Sequence, residues 1–252
     1  MSKTAPTQFQ ANILKTSTQN FTRIVLALNL EDESPGRLLK NGKILLEKTG
    51  PYICGIRFGR QTVLNLGSDR TKTLIKQAHD NDLTCIIDDK LNDIDDTNAA
   101  ICQAYFNLGF DGIIVNPFVG WKGGLDSVFH LAAKDGKGVI TLVYMSHPGA
   151  IEGYGRLVMD GEKPRPFYQI FAQDALEWGS DGVVVGATRP EIIKEVKQLL
   201  SEKVQIFSPG VGTQGGMISP LSGSDFYIIG RSITNAKDPE VAAQDFARQS
   251  TR

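Results

Sequence analysis

Eight short apolar runs alternate with longer segments of helical spacing along this 252-residue chain, and no other feature constrains the fold as tightly. The runs cover 23–30, 52–57, 84–89, 112–116, 138–144, 182–185, 204–207 and 226–229. Helical patterns cover 34–48, 69–81, 93–108, 125–133, 166–178, 190–200 and 239–248. Several of the runs are almost continuously apolar, as expected of parallel strands buried on both faces by crossover helices. Eight such units predict a single-domain α/β fold, a (β/α)8 TIM barrel, over 21–252, preceded by an N-terminal extension over 1–20. A doubly wound open sheet is the alternative, but it does not need eight units, and no G-x-G-x-x-G follows the first run.

Composition narrows the partners. A hydrophobic content of 41% fills one large core or two smaller ones. With 27 basic and 28 acidic residues the formal net charge is −1, so no global field recruits nucleic acid or a membrane surface. No apolar run approaches the roughly 18 residues of a membrane span. The segment 1–20 is polar and lacks a signal-peptide core, which predicts a cytoplasmic protein. Cys54, Cys85 and Cys102 are odd in number and lack metal-ligand spacing, so they read as reduced thiols in or beside the core. His79, His130 and His147 are too scattered in sequence to suggest a metal cluster.

In a TIM barrel, chemistry gathers at the C-terminal ends of the strands. Polar residues of unusual type fall there repeatedly: Asn29, Arg57, Asp88 with Lys90, Asn116, the 145–150 segment, Arg189, the Gly-rich 208–216 segment and Arg231. The third strand end is the most crowded, with Asp88, Asp89 and Asp93 around Lys90. Strand alternation puts Asp88 and Lys90 on one face and Asp89 on the other. Asp93 follows in the turn, where it can fold back over the same pocket or reach a neighbouring subunit. A lysine among carboxylates is expected to keep its proton and act as a fixed cation and proton donor.

The last two strand ends suggest a phosphate site. Gly210, Gly212, Gly215 and Gly216 allow close backbone approach to an anion, Gln214 adds a neutral donor, and Gly230 with Arg231 supplies an amide and a bidentate cation. A loop this rich in glycine and poor in anchors is expected to close over its ligand.

D-x-K-x-x-D-I-x-x-T at 88–97, M-S-H-P-G-A at 145–150, S-P-G-V-G-x-Q-G-G at 208–216 and I-G-R-S-I at 229–233 together resemble orotidine 5'-phosphate decarboxylase, particularly the archaeal form. The resemblance implies a cofactor-free, metal-free conversion of orotidine 5'-phosphate to uridine 5'-phosphate. It implies that Lys90 stabilises and protonates the carbanion at C6. Asp88 would flank the departing carboxylate, either repelling it or preorganising charge for the transition state. Asp93 and Thr97 would enter from the second subunit of a homodimer. Ser146 would meet the pyrimidine edge, and Pro209, Val211, Gln214, Gly230 and Arg231 would hold the phosphate end.

The chain departs from the family at two strand ends. Asn29 stands where the family pattern L-A-L-D has aspartate, and Arg57 stands where it has lysine. The resemblance implies that these two positions bind the ribose and complete a charge network with Asp88 and Lys90, which makes Arg57 a catalytic candidate. Asn29 can still bind the ribose but loses a charge, while Arg57 keeps its charge in a bulkier, planar group, and a reduced activity is the expectation. Asn116 replaces a common histidine, a smaller change. Two other readings stay open: a magnesium-dependent sugar-phosphate synthase or decarboxylase of the same suprafamily, which Asn29 and Arg57 disfavour, and a nucleotide-binding relative without turnover.

Overall fold

The apolar runs pair in parallel into a closed barrel whose strands are buried on both faces. The computed structural model describes residues 6–30, 34–200, 202, 204–219 and 223–251. Residues 1–5 of the expected extension and Arg252 lie outside them. In chain order the strands are β1 (Ile24–Leu28), β2 (Gly55–Gly59), β3 (Thr84–Leu91), β4 (Gly112–Val115), β5 (Gly138–Tyr144), β6 (Leu157–Asp160), β7 (Lys163–Pro166), β8 (Gly182–Val185), β9 (Gln205–Pro209) and β10 (Phe226–Ile229). The barrel order is β1-β10-β9-β8-β5-β4-β3-β2, while β6 and β7 form a separate antiparallel hairpin. The expected TIM barrel is therefore the fold. All seven helical patterns are helices, with ends within two residues of those read from the sequence.

Several elements escaped the sequence reading, chief among them a hairpin and two helices. The β6–β7 hairpin is short: Leu157, Val158 and Met159 make only a brief apolar run, and Lys163, Pro164, Arg165 and Pro166 make none. Helix Arg60–Leu66 follows β2 directly and ends at Gly67 with φ 75°. Helix Gln8–Gln19 is polar overall, yet its start is strongly specified. Thr7 Oγ1 accepts from the Gln10 amide at 3.3 Å, and the Gln10 side chain accepts from the Thr7 amide at 3.1 Å, a reciprocal capping box.

That first helix closes the N-terminal mouth of the barrel. Phe9 and Ile13 are buried in a cluster with the inward residues Val25, Ile86, Ile114, Ile140, Phe207 and Phe226. The phenyl ring sits where two strands begin with glycine: a Cβ on Gly112 or Gly138 would come within 2.7 or 2.3 Å of it. Full burial of such a ring contributes about 1.5–3 kcal/mol. A second apolar layer, including Leu26, Phe58, Ile87 and Ile113, packs the barrel's outer face against the helices. With Phe9 and Ile13 filling its N-terminal end, the barrel carries its central cavity where the strands end.

Cys54, Cys85 and Cys102 are buried and unpaired, as the sequence suggested. No helix among the described residues is long and apolar enough to cross a membrane.

Candidate active site

At the C-terminal end of the barrel, side chains from β1, β2 and β3 meet in one hydrogen-bonded chain. Arg57 Nη1 donates to Asn29 Oδ1 at 3.0 Å, and Arg57 Nη2 donates to Asp88 Oδ2. Lys90 Nζ donates to the other oxygen, Asp88 Oδ1, at 2.6 Å. Gln61 Nε2 adds a second bond to Asn29 Oδ1 at 3.3 Å. The Asp88 side chain is 4% exposed, so its charge is held between two cations away from water.

Lys90 reaches Asp88 by a different route from plain alternation. Its backbone is left-handed, with φ 57°, an uncommon conformation for a residue with a side chain. The β3–β4 register slips between Asp88 and Leu91 at the same point, a bulge of the kind that re-aims a side chain next to a site. Asp89 points away as expected, accepting from the Tyr105 hydroxyl at 3.0 Å, with Arg60 at 3.8 Å.

The expectation that Lys90 keeps its proton holds at neutral pH, with less margin than its carboxylate neighbours alone would give. Burial, then the Arg57 and Arg60 cations, push its ammonium down to about 8, with Asp89 opposing. Asp88 favours the ammonium through the short contact, but Arg57 occupies the same carboxylate and adds positive charge beside it. Lys90 is thus still mainly protonated at neutral pH and close to giving its proton up. Burial lowers Arg57 to about 10, which leaves it charged.

The opposite rim is built from backbone. Gly212 donates to Gly216 O at 2.9 Å, Gly215 to Gly212 O at 2.7 Å and Gly216 to Gly210 O at 3.0 Å, folding the loop after β9 on itself. The loop is better anchored than expected, because Thr213 also bonds Ser232 in the short helix Arg231–Thr234.

One cavity of about 320 Å³ joins the two rims. Asn29, Arg57, Asp88, Lys90, Ser146, Pro209, Val211, Gln214, Gly230 and Arg231 all line it. Asp93 and Thr97 do not line the cavity of their own chain. Asp93 is exposed in the turn before helix Asp95–Leu108, a turn pinned by buried Asn98, whose Oδ1 accepts from the Asp93 amide at 3.1 Å. Asn116 caps the turn after β4 by accepting from the Phe118 amide at 3.1 Å.

The sequence reading missed the cavity's apolar floor: Ala27, Ile114, Leu142, Val184 and Ile228. The period of two could have found Ala27, two residues before Asn29 on the same face. Met145, Gly210 and His147 also line the cavity, and His147 lay within the quoted 145–150 segment.

As a metal site the cavity is poorly suited. Asp88 is the one carboxylate among its lining residues, and two cations already hold it, whereas Mg²⁺ prefers free carboxylate and water oxygens. At the other end of the barrel, the fold gathers His79, Cys85 and Asp111, which sequence spacing did not suggest. There Asp111 accepts from the Cys85 amide at 2.9 Å and from Lys137 at 3.2 Å, and contacts His79 Nε2 at 2.8 Å, so it ties three elements together.

Comparison with known proteins agrees with this geometry. A relative from Methanococcoides burtonii, named orotidine 5'-phosphate decarboxylase, is 35% identical over 224 residues, covering 88% of this chain and 94% of its own. One of the same name from Pyrococcus abyssi is 36% identical over 224 residues, covering 88% and 96%. The crystal structure of orotidine 5'-monophosphate decarboxylase from Methanocaldococcus jannaschii complexed with the inhibitor BMP superposes with a TM-score of 0.76 at 29% identity, covering 92% of this chain and 99% of that one. The sequence model of the orotidine 5'-phosphate decarboxylase / HUMPS family matches residues 22–246, from just before β1 into the last helix. A barrel whose strand ends carry the charged chain on one rim and the glycine loop on the other, matched over almost its whole length, belongs to the orotidine 5'-phosphate decarboxylase / HUMPS family.

Proposed function

We propose that this chain is a carboxy-lyase that converts orotidine 5'-phosphate to uridine 5'-phosphate and carbon dioxide without metal or cofactor, a step of pyrimidine nucleotide synthesis in the cytoplasm. One observation carries the reading: the Arg57–Asp88–Lys90 cluster at the ends of β2 and β3 and the glycine loop with Arg231 after β9 and β10 line the same cavity, the loop facing β3 across the barrel. A nucleotide monophosphate has that polarity, with a base to decarboxylate at one end and a phosphate to grip at the other.

The phosphate is held by loop amides over 210–216, Gln214, the Gly230 amide and the bidentate Arg231 guanidinium, with Pro209 and Val211 shaping the base of the loop. Asn29 and Arg57 hydrogen-bond the ribose. The pyrimidine lies over the apolar floor with Ser146 at its edge. That leaves the C6 carboxylate beside Asp88 and Lys90. The C6–carboxylate bond breaks with its electron pair left on C6, and carbon dioxide departs. Lys90 Nζ stabilises the developing carbanion by its charge, then transfers a proton to C6 as the N–H bond breaks, and regains one from water. Phosphate contacts remote from C6 contribute by holding the closed site together.

The reading includes a homodimer in which Asp93 and Thr97 complete the neighbouring cavity. It is supported by the exposure of Asp93 on a turn that Asn98 holds rigid, next to Ile94, an apolar side chain that is 66% exposed.

Incubation of the purified protein with orotidine 5'-phosphate, with and without chelator, tests the proposal. Chelator-insensitive formation of uridine 5'-phosphate is the expected result. Tight binding of uridine 5'-phosphate without turnover, or chelator-sensitive turnover of a sugar phosphate instead, would replace it.

A further inference from the structure

The two arms of the phosphate rim leave neighbouring strands, the loop after β9 and the short helix after β10, whose ladder ends at Pro209 and Ile228. Beyond the ladder, one hydroxyl joins them. Ser232 Oγ accepts from the Thr213 amide at 3.1 Å and shares a second hydrogen bond with Thr213 Oγ1 at 3.0 Å. Thr213 immediately precedes Gln214, and Ser232 immediately follows Arg231; both of those neighbours line the cavity, whereas Thr213 and Ser232 do not. Packing enforces the same junction. Gly212 has φ 75°, and a Cβ there would lie 2.2 Å from Ser232 Oγ, so only glycine lets the loop sit this close to the hydroxyl.

We propose that Ser232 is a positioning residue, a latch that holds the glycine loop against the Arg231 arm so that both present their donors to one phosphate. The proposal rests on the reading that this rim binds phosphate. The β9–β10 ladder places the base of the loop, and the backbone bonds among Gly210, Gly212, Gly215 and Gly216 fix its internal shape, but neither ties the middle of the loop to the Arg231 arm. Without the latch, the loop must be ordered when ligand binds, at the expense of affinity for the phosphate end. Nothing in the latch reaches the pyrimidine, so ligands lacking phosphate gain nothing from it.

Ser232→Ala and Ser232→Thr test this against wild type. Ser232→Ala is expected to raise KM for orotidine 5'-phosphate and Kd for uridine 5'-phosphate about tenfold, with kcat changed by less than about twofold. Tenfold is about 1.4 kcal/mol, comparable to one neutral hydrogen bond. Kd for uridine should not move, and Ser232→Thr, which keeps the hydroxyl, should restore phosphate affinity. In the free protein, amide exchange at Thr213 should quicken in Ser232→Ala and not in Ser232→Thr. Unchanged Thr213 exchange in Ser232→Ala, or equal weakening of uridine and uridine 5'-phosphate, would overturn the latch. If wild type neither turns over orotidine 5'-phosphate nor binds uridine 5'-phosphate, the functional reading fails instead, and the exchange measurement still decides the latch.

Discussion

Lys90 Nζ lies 2.6 Å from Asp88 Oδ1 because the chain turns left-handed at Lys90 and the β3–β4 ladder slips a step beside it. The ammonium is thereby aimed into the cavity from a strand end, on a backbone too constrained to swing away. Replacing Lys90 by alanine should lower kcat at least about a thousandfold, since it removes both the proton donor and the charge facing the carbanion. Binding of uridine 5'-phosphate should survive within about tenfold, because the phosphate rim is untouched. Comparing kcat with nucleotide affinity checks this, and preserved turnover would remove Lys90 from the chemistry.

The pH profile follows from the same cluster. Lys90 must carry its proton to act, and burial with Arg57 and Arg60 brings it down to about 8. Lowering the pKa of a cationic acid means the active form is lost sooner as pH rises. For the free enzyme, kcat/KM should hold steady up to about pH 8 and then fall tenfold per unit. A bound dianionic phosphate and substrate carboxylate favour the ammonium, so the alkaline limb of kcat should lie higher. Identical limbs for kcat and kcat/KM would show that Lys90 does not sense the ligand.

Asn29→Asp probes the charge that the resemblance leads one to expect at this strand end and that this chain lacks. Asn29 Oδ1 already accepts from Arg57 and Gln61, so a carboxylate there fits the existing donors without rearrangement. It would offset Arg57 and hold the Lys90 proton more firmly. The expected outcome is a several-fold rise in kcat/KM at alkaline pH, with the limb moved upward. An unmoved limb would show that charge at position 29 does not reach Lys90.

How far the sequence revealed this protein depended on how local the signal was. β8 and β10 are continuous apolar runs bounded by glycine or polar residues, and β5 is interrupted only by Thr141, so their ends could be read to the residue. Asp88, Lys90, Gln214 and Arg231 were legible because barrels place chemistry at strand ends. Three things were not legible, each depending on contacts that only the folded barrel makes. Helix Gln8–Gln19 is amphipathic only in relation to the barrel mouth it fills. The Lys90 titration depends on Arg57 and Arg60, which the closure of β2 against β3 brings alongside. The Thr213–Ser232 contact joins residues from neighbouring strand ends, and neither carries a charge that would draw notice.

Phe9 supplies a test of the plugged barrel. It is 1% exposed, and its ring occupies space left by Gly112 and Gly138. Phe9→Ala leaves a cavity that two glycine-bearing strands cannot fill, and should cost about 3–5 kcal/mol of stability. Denaturant unfolding measures it. A loss below about 1 kcal/mol would show that the barrel mouth is sealed without that helix.

Asp93 is the residue whose place most depends on assembly. It does not line the cavity of its own chain, and its turn is held outward by Asn98. If it serves the neighbouring site, Asp93→Ala and Lys90→Ala should each yield a nearly inactive homodimer for different reasons. Mixed and re-equilibrated, they should form about one half heterodimers, each with one cavity that combines an intact Lys90 from one chain and an intact Asp93 from the other. Since only one of the two sites is whole, activity should recover to about a quarter of wild type. Recovery cannot arise if Asp93 acts within its own barrel, because every cavity in the mixture would then lack one of the two groups. A mixture no more active than its components, shown by mass to contain heterodimers, would place Asp93 outside the shared site.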